Sequence, residues 1–391
     1  MPARRELTRQ ALLGASAAPA NGVVSVALAA WLAALGVGPG AIGLLGLAAL
    51  PWTLKPLWAP LLDRYGRRRI WILGAQIATV LALGGVALSW GGQTAGTIVL
   101  LATAVAFAGA TLDLAIDGWR VATVPEHDRE AATGAFVLGY RVAFLGAGAA
   151  AIPIAAYAGV PSTLACAAAI VALGAVVVLR APEGPHDDAD GGAGWLAAWW
   201  APITRLARPE DAGYALGVVA LFKLGELPLA TLGPAFLVAS GVPPGTIGFA
   251  QAVAIGATIV GALGAAPLAG WRGPVGALIV AGALAAGTNL GYAALALGGG
   301  PPDAVSVIFV VGLDGLASGL SSACFVAFLM GRCDARWAAA GYAVLTALSG
   351  LAGRVATPAA GALAEVGGFR ACFVATAFAG IPALALATRV K

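Results

Sequence analysis

Twelve long apolar stretches run through this chain, and ionisable residues interrupt only some of them. A membrane-spanning helix needs roughly 20 consecutive apolar residues. The stretches lie at 11–34, 41–61, 70–91, 97–119, 131–155, 161–179, 212–238, 246–268, 274–297, 304–329, 338–360 and 370–388. In lipid the backbone must satisfy its own hydrogen bonds, so each is read as a helix. Eight ionisable residues fall inside them: Lys55, Asp113, Asp117, Arg141, Lys223, Glu226, Asp314 and Arg354. The interiors of stretches three, six, nine and twelve hold none. Charges within a bilayer usually face a protein interior or water. The expected fold class is therefore an all-α membrane protein, with a polar interior inside an outer apolar scaffold.

Composition agrees. Hydrophobic residues make up 60% of the chain and charged residues 10%, against about 25% charged in average soluble domains. The net charge of +4 is spread over short loops, which excludes a nucleic-acid surface. Cys166, Cys324, Cys333 and Cys372 have the spacing of neither a disulfide framework nor a metal site. His127 and His186 both lie in polar loops. No nucleophile elbow, phosphate loop or metal cluster is present, so the expectation is no enzyme, no cofactor and no metal.

Loop charges set an orientation. One set of connections holds Arg64, Arg67, Arg68, Arg69, Arg120, Arg129, Arg180, Arg205, Arg208, Arg272, Arg332 and Arg336. Arg4, Arg5, Arg9, Arg389 and Lys391 add basic termini, and the alternate connections hold Arg370 alone. Positive residues stay cytoplasmic, so both termini are expected inside.

The chain also repeats itself. Gly36-Val37-Gly38-Pro39-Gly40-Ala41-Ile42-Gly43 echoes Gly241-Val242-Pro243-Pro244-Gly245-Thr246-Ile247-Gly248. Ala59-Pro60-Leu61 echoes Ala266-Pro267-Leu268, and Arg141-Val142-Ala143 echoes Arg354-Val355-Ala356. Three ordered matches at similar offsets predict two pseudo-symmetric six-helix halves, residues 1–180 and 211–391. Parallel repeats of this kind build many secondary transporters, with the substrate site between the halves. Residues 181–210 form the expected cytoplasmic linker. Its Trp195, Trp199, Trp200, Arg205 and Arg208 suit a short interfacial helix.

Helix four carries Asp113 and Asp117, four residues apart and on one face. Two close carboxylates in a low-dielectric site resist double ionisation, so the pair suits holding and releasing one proton. Arg120 extends that face. By helical rise Arg141 lies about 15 Å into helix five and Asp113 about 10 Å above Arg120. A pairing of Asp113 with Arg141 is expected, making Asp113, Asp117 and Arg141 the candidate proton-coupling group. Lys223 and Glu226 are spaced for a local ion pair. Asp314 and Arg354 are placed either to bridge or to meet a ligand. Lys55 is placed to line the pathway or to snorkel toward the cytoplasm. Asn21 and Gln251 complete the candidate pathway, with Gln76 and Asn289 as further polar residues.

The loop Asp63-Arg64-Tyr65-Gly66-Arg67-Arg68-Arg69 resembles the cytoplasmic signature of the major facilitator superfamily. There an acid and a basic cluster latch two halves, so Asp63, Arg64, Gly66, Arg67 and Arg68 form a candidate gating loop. The later copy, Gly270-Trp271-Arg272-Gly273, lacks the acid. Residues Leu50-Pro51-Trp52-Thr53-Leu54-Lys55-Pro56-Leu57-Trp58-Ala59-Pro60-Leu61-Leu62-Asp63-Arg64 are similar to helix two of AmpG-type muropeptide permeases. So are Asp113-Leu114-Ala115-Ile116-Asp117, Trp119-Arg120 and Val137-Leu138-Gly139-Tyr140-Arg141. The resemblance is dense over roughly residues 50–150 and thin beyond. It implies a major facilitator fold and proton-driven import of anhydro-muropeptides across the bacterial inner membrane for peptidoglycan recycling. It also implies a small-molecule substrate, protons and the lipid bilayer as partners, and a monomer. Leu112 stands where the family often has Gln. The family includes acetyl-CoA transporters, so another anionic or amphiphilic solute is the alternative substrate. A non-transporting membrane assembly factor is the alternative class.

Overall fold

The computed structural model describes residues 4–64, 68–92, 94–125, 129–181, 211–298, 300–332 and 338–390. Nine described helices are long and apolar enough to cross a bilayer, and the bent pair Ala132–Ala147 and Ala151–Ala158 makes ten. Two of the nine are double, because Pro244–Leu295 turns at Gly273 and Val344–Ala387 turns at Gly368. Counting both arms of each gives the twelve helices expected from the sequence.

In chain order, α1 is Arg4–Ala34, α2 is Pro39–Leu57 and α3 is Arg68–Ser89. Helix α4 is Ala95–Thr123, α5 joins Arg129–Ala147 to Ala151–Ala158, and α6 is Val160–Leu179. Helix α7 comes in two pieces, Ala212–Leu221 and Glu226–Ala239. Helices α8 (244–272) and α9 (274–295) flank Gly273, and α10 is Ala304–Gly331. Helices α11 (338–367) and α12 (369–387) flank Gly368.

Helix α1 begins at Arg4, earlier than the sequence suggested. Glu6 accepts a hydrogen bond from Gln10 at 2.8 Å and pairs with Arg9, so polar i,i+3 and i,i+4 contacts carry the helix below its apolar run.

The repeat is visible in the turns. Gly36 ends α1 at φ 77°, and Gly241 ends α7 at the same φ. Gly159 separates α5 from α6 at φ 81°, and Gly368 separates α11 from α12 at φ 77°. Only glycine adopts this left-handed region without strain, so each half turns the chain with the same residue at the same place.

The helices form two compact units. The first is Met1–Trp31 with Ala48–Gly191, and the second is Leu32–Leu47 with Gly192–Lys391. In the first, α1 and α5 cross at glycine contacts, where a Cβ on Gly139 or Gly14 would strike the opposing backbone. Close approach through small residues is the usual packing device in lipid. The most apolar windows of α1 and α4 are 78% and 61% buried, whereas those of α3 and α6 are 33% buried. The third and sixth helices, whose apolar interiors carry no charge, thus form the outer layer of this unit. In the second unit, the start of α2 packs on α11 through Gly43, Gly46, Thr357 and Gly361, and the Gly40 N–H donates to Glu365 at 2.7 Å. The expected interfacial helix around Trp195–Arg208 lies outside the described residues.

Candidate functional site

A cavity of about 440 Å³ opens in the first unit, and irregular helix geometry aims its residues. Helix α2 is not continuous. Leu50–Leu54 passes into a tight 3₁₀ turn, Lys55–Leu57, before the short helix Ala59–Arg64. Pro51 sits in a first turn and Pro56 removes a backbone donor, so the α-helical ladder is interrupted here. Lys55 stands at the break, and its Nζ donates to Asp113 Oδ2 at 2.5 Å. The expected partner was Arg141, and Lys55 was expected to line the pathway or snorkel. Helical rise gives depth but not the direction in which a side chain points. Arg141 lies on the exposed side of α5 and forms no ion pair among the described residues, whereas Asp113 is buried. The second carboxylate oxygen of Asp113, Oδ1, is buried and accepts no hydrogen bond among the described residues.

Asp117 lies one turn further along α4 and lines the same cavity, with a side chain 59% exposed. Arg120 reaches it at 3.4 Å. The same guanidinium donates to Gln10 Oε1 at 2.9 Å and Thr133 Oγ1 at 3.1 Å, and lies 3.9 Å over the Phe136 ring. Arg120 therefore ties α1, α4 and α5 together and is shared among partners.

The opposite wall is aromatic. Phe136, Tyr140 and Phe144 recur every four residues on α5, with centroids 6.3 and 6.4 Å apart. Asn21 fixes the middle ring, donating to the Tyr140 hydroxyl at 3.0 Å and accepting from Ser25 at 2.7 Å. Asn21 is placed by a local widening of α1, which follows Pro19 with a π-helical turn over Val23–Ala27. The cavity thus joins two cations, two carboxylates, one amide and a ring stripe. It can hold a solute with an apolar face and an anionic end.

The second unit holds a smaller cavity of about 90 Å³ beside the break in α7. Lys223 lies in that break and donates to both Glu226 oxygens at 2.6 Å, the local pair expected from spacing. Asp314 accepts from Thr288 at 2.8 Å. The considered bridge between Asp314 and Arg354 is not formed, and Arg354 Nε is buried without a hydrogen-bond partner among the described residues. Gln251 is half-buried and lines neither cavity.

Of the gating loop, Asp63 and Arg64 close the helix Ala59–Arg64, while Gly66 and Arg67 lie outside the described residues. Arg68 donates to the Gly118 carbonyl at 2.7 Å, joining the start of α3 to the end of α4. Sequence reasoning missed the ring stripe, although its four-residue spacing was legible. It also missed Glu365 and Ser321, whose local sequence carries no such signal.

The chain matches the model of the Major Facilitator Superfamily over residues 11–357. It is 29% identical to the anhydromuropeptide permease of Escherichia coli (strain K12), over 96% of this chain and 77% of that one. It is 25% identical to the putative transporter AmpG 4 of Rickettsia felis, over 93% of this chain and 91% of that one. Among solved structures, the nucleoside transporter NupG (D323A mutant) superposes with a TM-score of 0.78 at 14% identity, covering 99% of both chains. The D-xylose–proton symporter superposes with a TM-score of 0.73 at 14% identity, covering 99% of this chain and 98% of that one. With a family match over most of its length and that fold across its length, the chain belongs to the Major Facilitator Superfamily and is a multi-pass membrane transporter.

Proposed function

We propose that this transporter imports anhydro-muropeptides across the bacterial inner membrane, driven by protons, with both termini cytoplasmic. The observation that carries this reading is the first cavity, where the Phe136–Tyr140–Phe144 stripe faces Lys55 and Asp113 and shares its helix with Arg141. A sugar ring has an apolar face that suits aromatic stacking, and a peptide stem carries carboxylates that suit Arg141. Similarity to a protein named anhydromuropeptide permease supports the same solute.

The Lys55–Asp113 pair supplies a coupling device. Asp113 has two ways to be satisfied in a buried site: pairing with Lys55, or taking a proton. When it takes the proton, Lys55 is released to meet an anionic solute. Solute and proton then favour the same state, which is what coupling requires. Asp117, more exposed and sharing Arg120, is the secondary carboxylate. The loop Asp63–Arg68 acts as a latch that biases the conformational equilibrium, so Asp63→Asn slows transport more than it weakens binding.

Uptake of labelled anhydro-muropeptide into proteoliposomes, with and without an imposed pH gradient, tests the proposal. Gradient-driven accumulation in wild type, lost in Asp113→Asn with counterflow retained, is the expected result. Accumulation by Asp113→Asn under the gradient moves the proton site elsewhere. Arg141, which forms no ion pair among the described residues, also suits other anionic amphiphiles, and competition by acetyl-CoA in the same assay separates that reading. Orientation is tested by external labelling of single cysteines, expected at positions 38 and 159 and absent at 272.

A further inference from the structure

The small cavity of the second unit is built like an ion site. Asp314, Ser318 and Ser321 lie at i, i+4 and i+7 of α10, so one helix face presents a carboxylate and two hydroxyls to it. Among the described residues no Lys, Arg or His pairs with Asp314, and Thr288 alone donates to it. The neighbouring acid differs, since Lys223 engages both oxygens of Glu226. Asp314 therefore faces the cavity with its charge uncompensated, and the other ionisable group on its wall is already neutralised.

Three further observations point to an occupant. Ser321 is 1% exposed and its hydroxyl has no hydrogen-bond partner among the described residues, although it lines the cavity. Helical hydroxyls in this chain usually bond back to a carbonyl one turn earlier, as Thr258 and Thr357 do. Next, α7 is interrupted between Leu221 and Glu226, which brings backbone at Gly225 to the cavity wall. The end of the half-helix Ala212–Leu221 carries partial negative charge, favourable to a cation. Unwound backbone and half-helix ends of this kind hold monovalent ions in other transporter folds. Finally, Asn289 gives its amide N–H to the Gly225 carbonyl at 3.4 Å, which leaves its amide oxygen, an acceptor and cation ligand, for the cavity.

We propose that this cavity binds one partly hydrated sodium-class cation, ligated by Asp314, Ser318, Ser321 and the Asn289 amide oxygen. The donor set is all oxygen, which selects a hard cation. It carries one uncompensated charge, which suits a monovalent rather than a divalent ion. No group of three His, Cys, Asp or Glu residues fit for a polyvalent metal exists among the described residues. A bare proton needs only Asp314 and leaves the volume and the Ser321 hydroxyl unexplained. Use of the ion in coupling rests on the transport reading, but its binding does not.

The test is ²²Na⁺ binding to the full-length purified protein at fixed pH and ionic strength, with choline as the balancing cation and no solute present. Saturable binding of one ion per chain is expected, with a parallel rise in Tm as sodium is added, since a ligand of the native state stabilises it. Asp314→Asn should abolish binding, Ser321→Ala should weaken it severalfold, and Asp303→Asn, outside the cavity, should leave it unchanged. If Asp314→Asn does not fold, the Ser321→Ala result and competition by unlabelled lithium against wild type decide. No saturable binding in wild type, or binding unaltered in Ser321→Ala, overturns the proposal. So does a Tm that responds to pH through Asp314 but not to sodium, which assigns that residue to a proton alone. A chain that binds sodium yet takes up no muropeptide keeps this inference and loses the import reading.

Discussion

The two halves share turns and helix order, yet they treat their buried charges differently. In the first unit, Lys55 and Asp113 pair across two helices, 58 residues apart in sequence, beside a cavity of about 440 Å³. In the second, Lys223 and Glu226 pair within one helix break, three residues apart, and the adjoining cavity is about 90 Å³. A pair between helices changes when helices shift, whereas a pair inside one segment travels with it. Aromatic residues diverge in the same way. Phe136, Tyr140 and Phe144 line the large cavity, whereas Phe325 lines neither cavity and stacks on Phe222 at 4.7 Å within the core cluster of the second unit. One half of a duplicated architecture keeps a large, charged, ring-lined opening, and the other is more tightly filled.

The sharpest way to break that contrast is to unpair the interhelical charges. Lys55→Ala leaves Asp113 buried and without its cation. Removing one partner of a buried pair costs about 3–5 kcal/mol, so Tm should fall substantially and uptake should be lost. The double variant Lys55→Ala/Asp113→Asn removes the orphaned charge and should recover most of the Tm but no gradient-driven uptake. A double variant no more stable than Lys55→Ala alone means that the pair does not hold α2 to α4. The corresponding Lys223→Ala, whose partner is 23% exposed, should cost visibly less.

Next in size is the pair of ring systems. Phe325→Ala removes a buried ring and should lower stability by about 3–5 kcal/mol while leaving solute affinity per folded molecule unchanged. Tyr140→Ala should do the reverse: a smaller loss of Tm and about two- to tenfold weaker muropeptide binding, as expected from losing one aromatic contact of about 0.5–1.5 kcal/mol. Isothermal calorimetry and thermal unfolding on the same preparations check both. Equal effects on affinity would erase the distinction between wall and core.

How much of this was legible in the sequence differs between fold and site. Apolar run length fixed the helix count, because a bilayer leaves a spanning backbone few other solutions. The repeated glycines were legible because positive φ selects that residue, as Gly36 and Gly241 show. Partners of the buried charges were legible only when local. Lys223–Glu226 follows from spacing, but Lys55–Asp113 depends on how two prolines re-aim α2, and the Arg141 pairing failed for that reason. The Gly40–Glu365 contact joins residues 325 apart, a separation at which no periodic pattern operates.

The smallest expected effect compares how the two halves start equivalent helices. Helix α4 is capped by Thr94, whose side chain accepts from the Thr97 N–H at 3.3 Å, and α10 is capped by Asp303, which accepts from the Ser306 N–H at 2.9 Å. Each satisfies a backbone donor that the first turn leaves free. Only the second cap titrates. The hydrogen bonds from Ser306 hold the Asp303 carboxyl below the ordinary carboxylate value. The stabilisation it supplies is therefore fully present above the unfolded-state value of about 3.9 and is lost as pH falls through the lowered folded-state value. Thr94 supplies the same stabilisation at every pH. Amide protection at Ser306, corrected for intrinsic exchange, should thus decline on acidification while protection at Thr97 holds. Asp303→Asn should keep a cap and abolish the difference, with little change in Tm at neutral pH. A pH-dependent loss at Thr97 equal to that at Ser306 would show that acid loosens both halves alike, and that the charge on the second cap is not its cause.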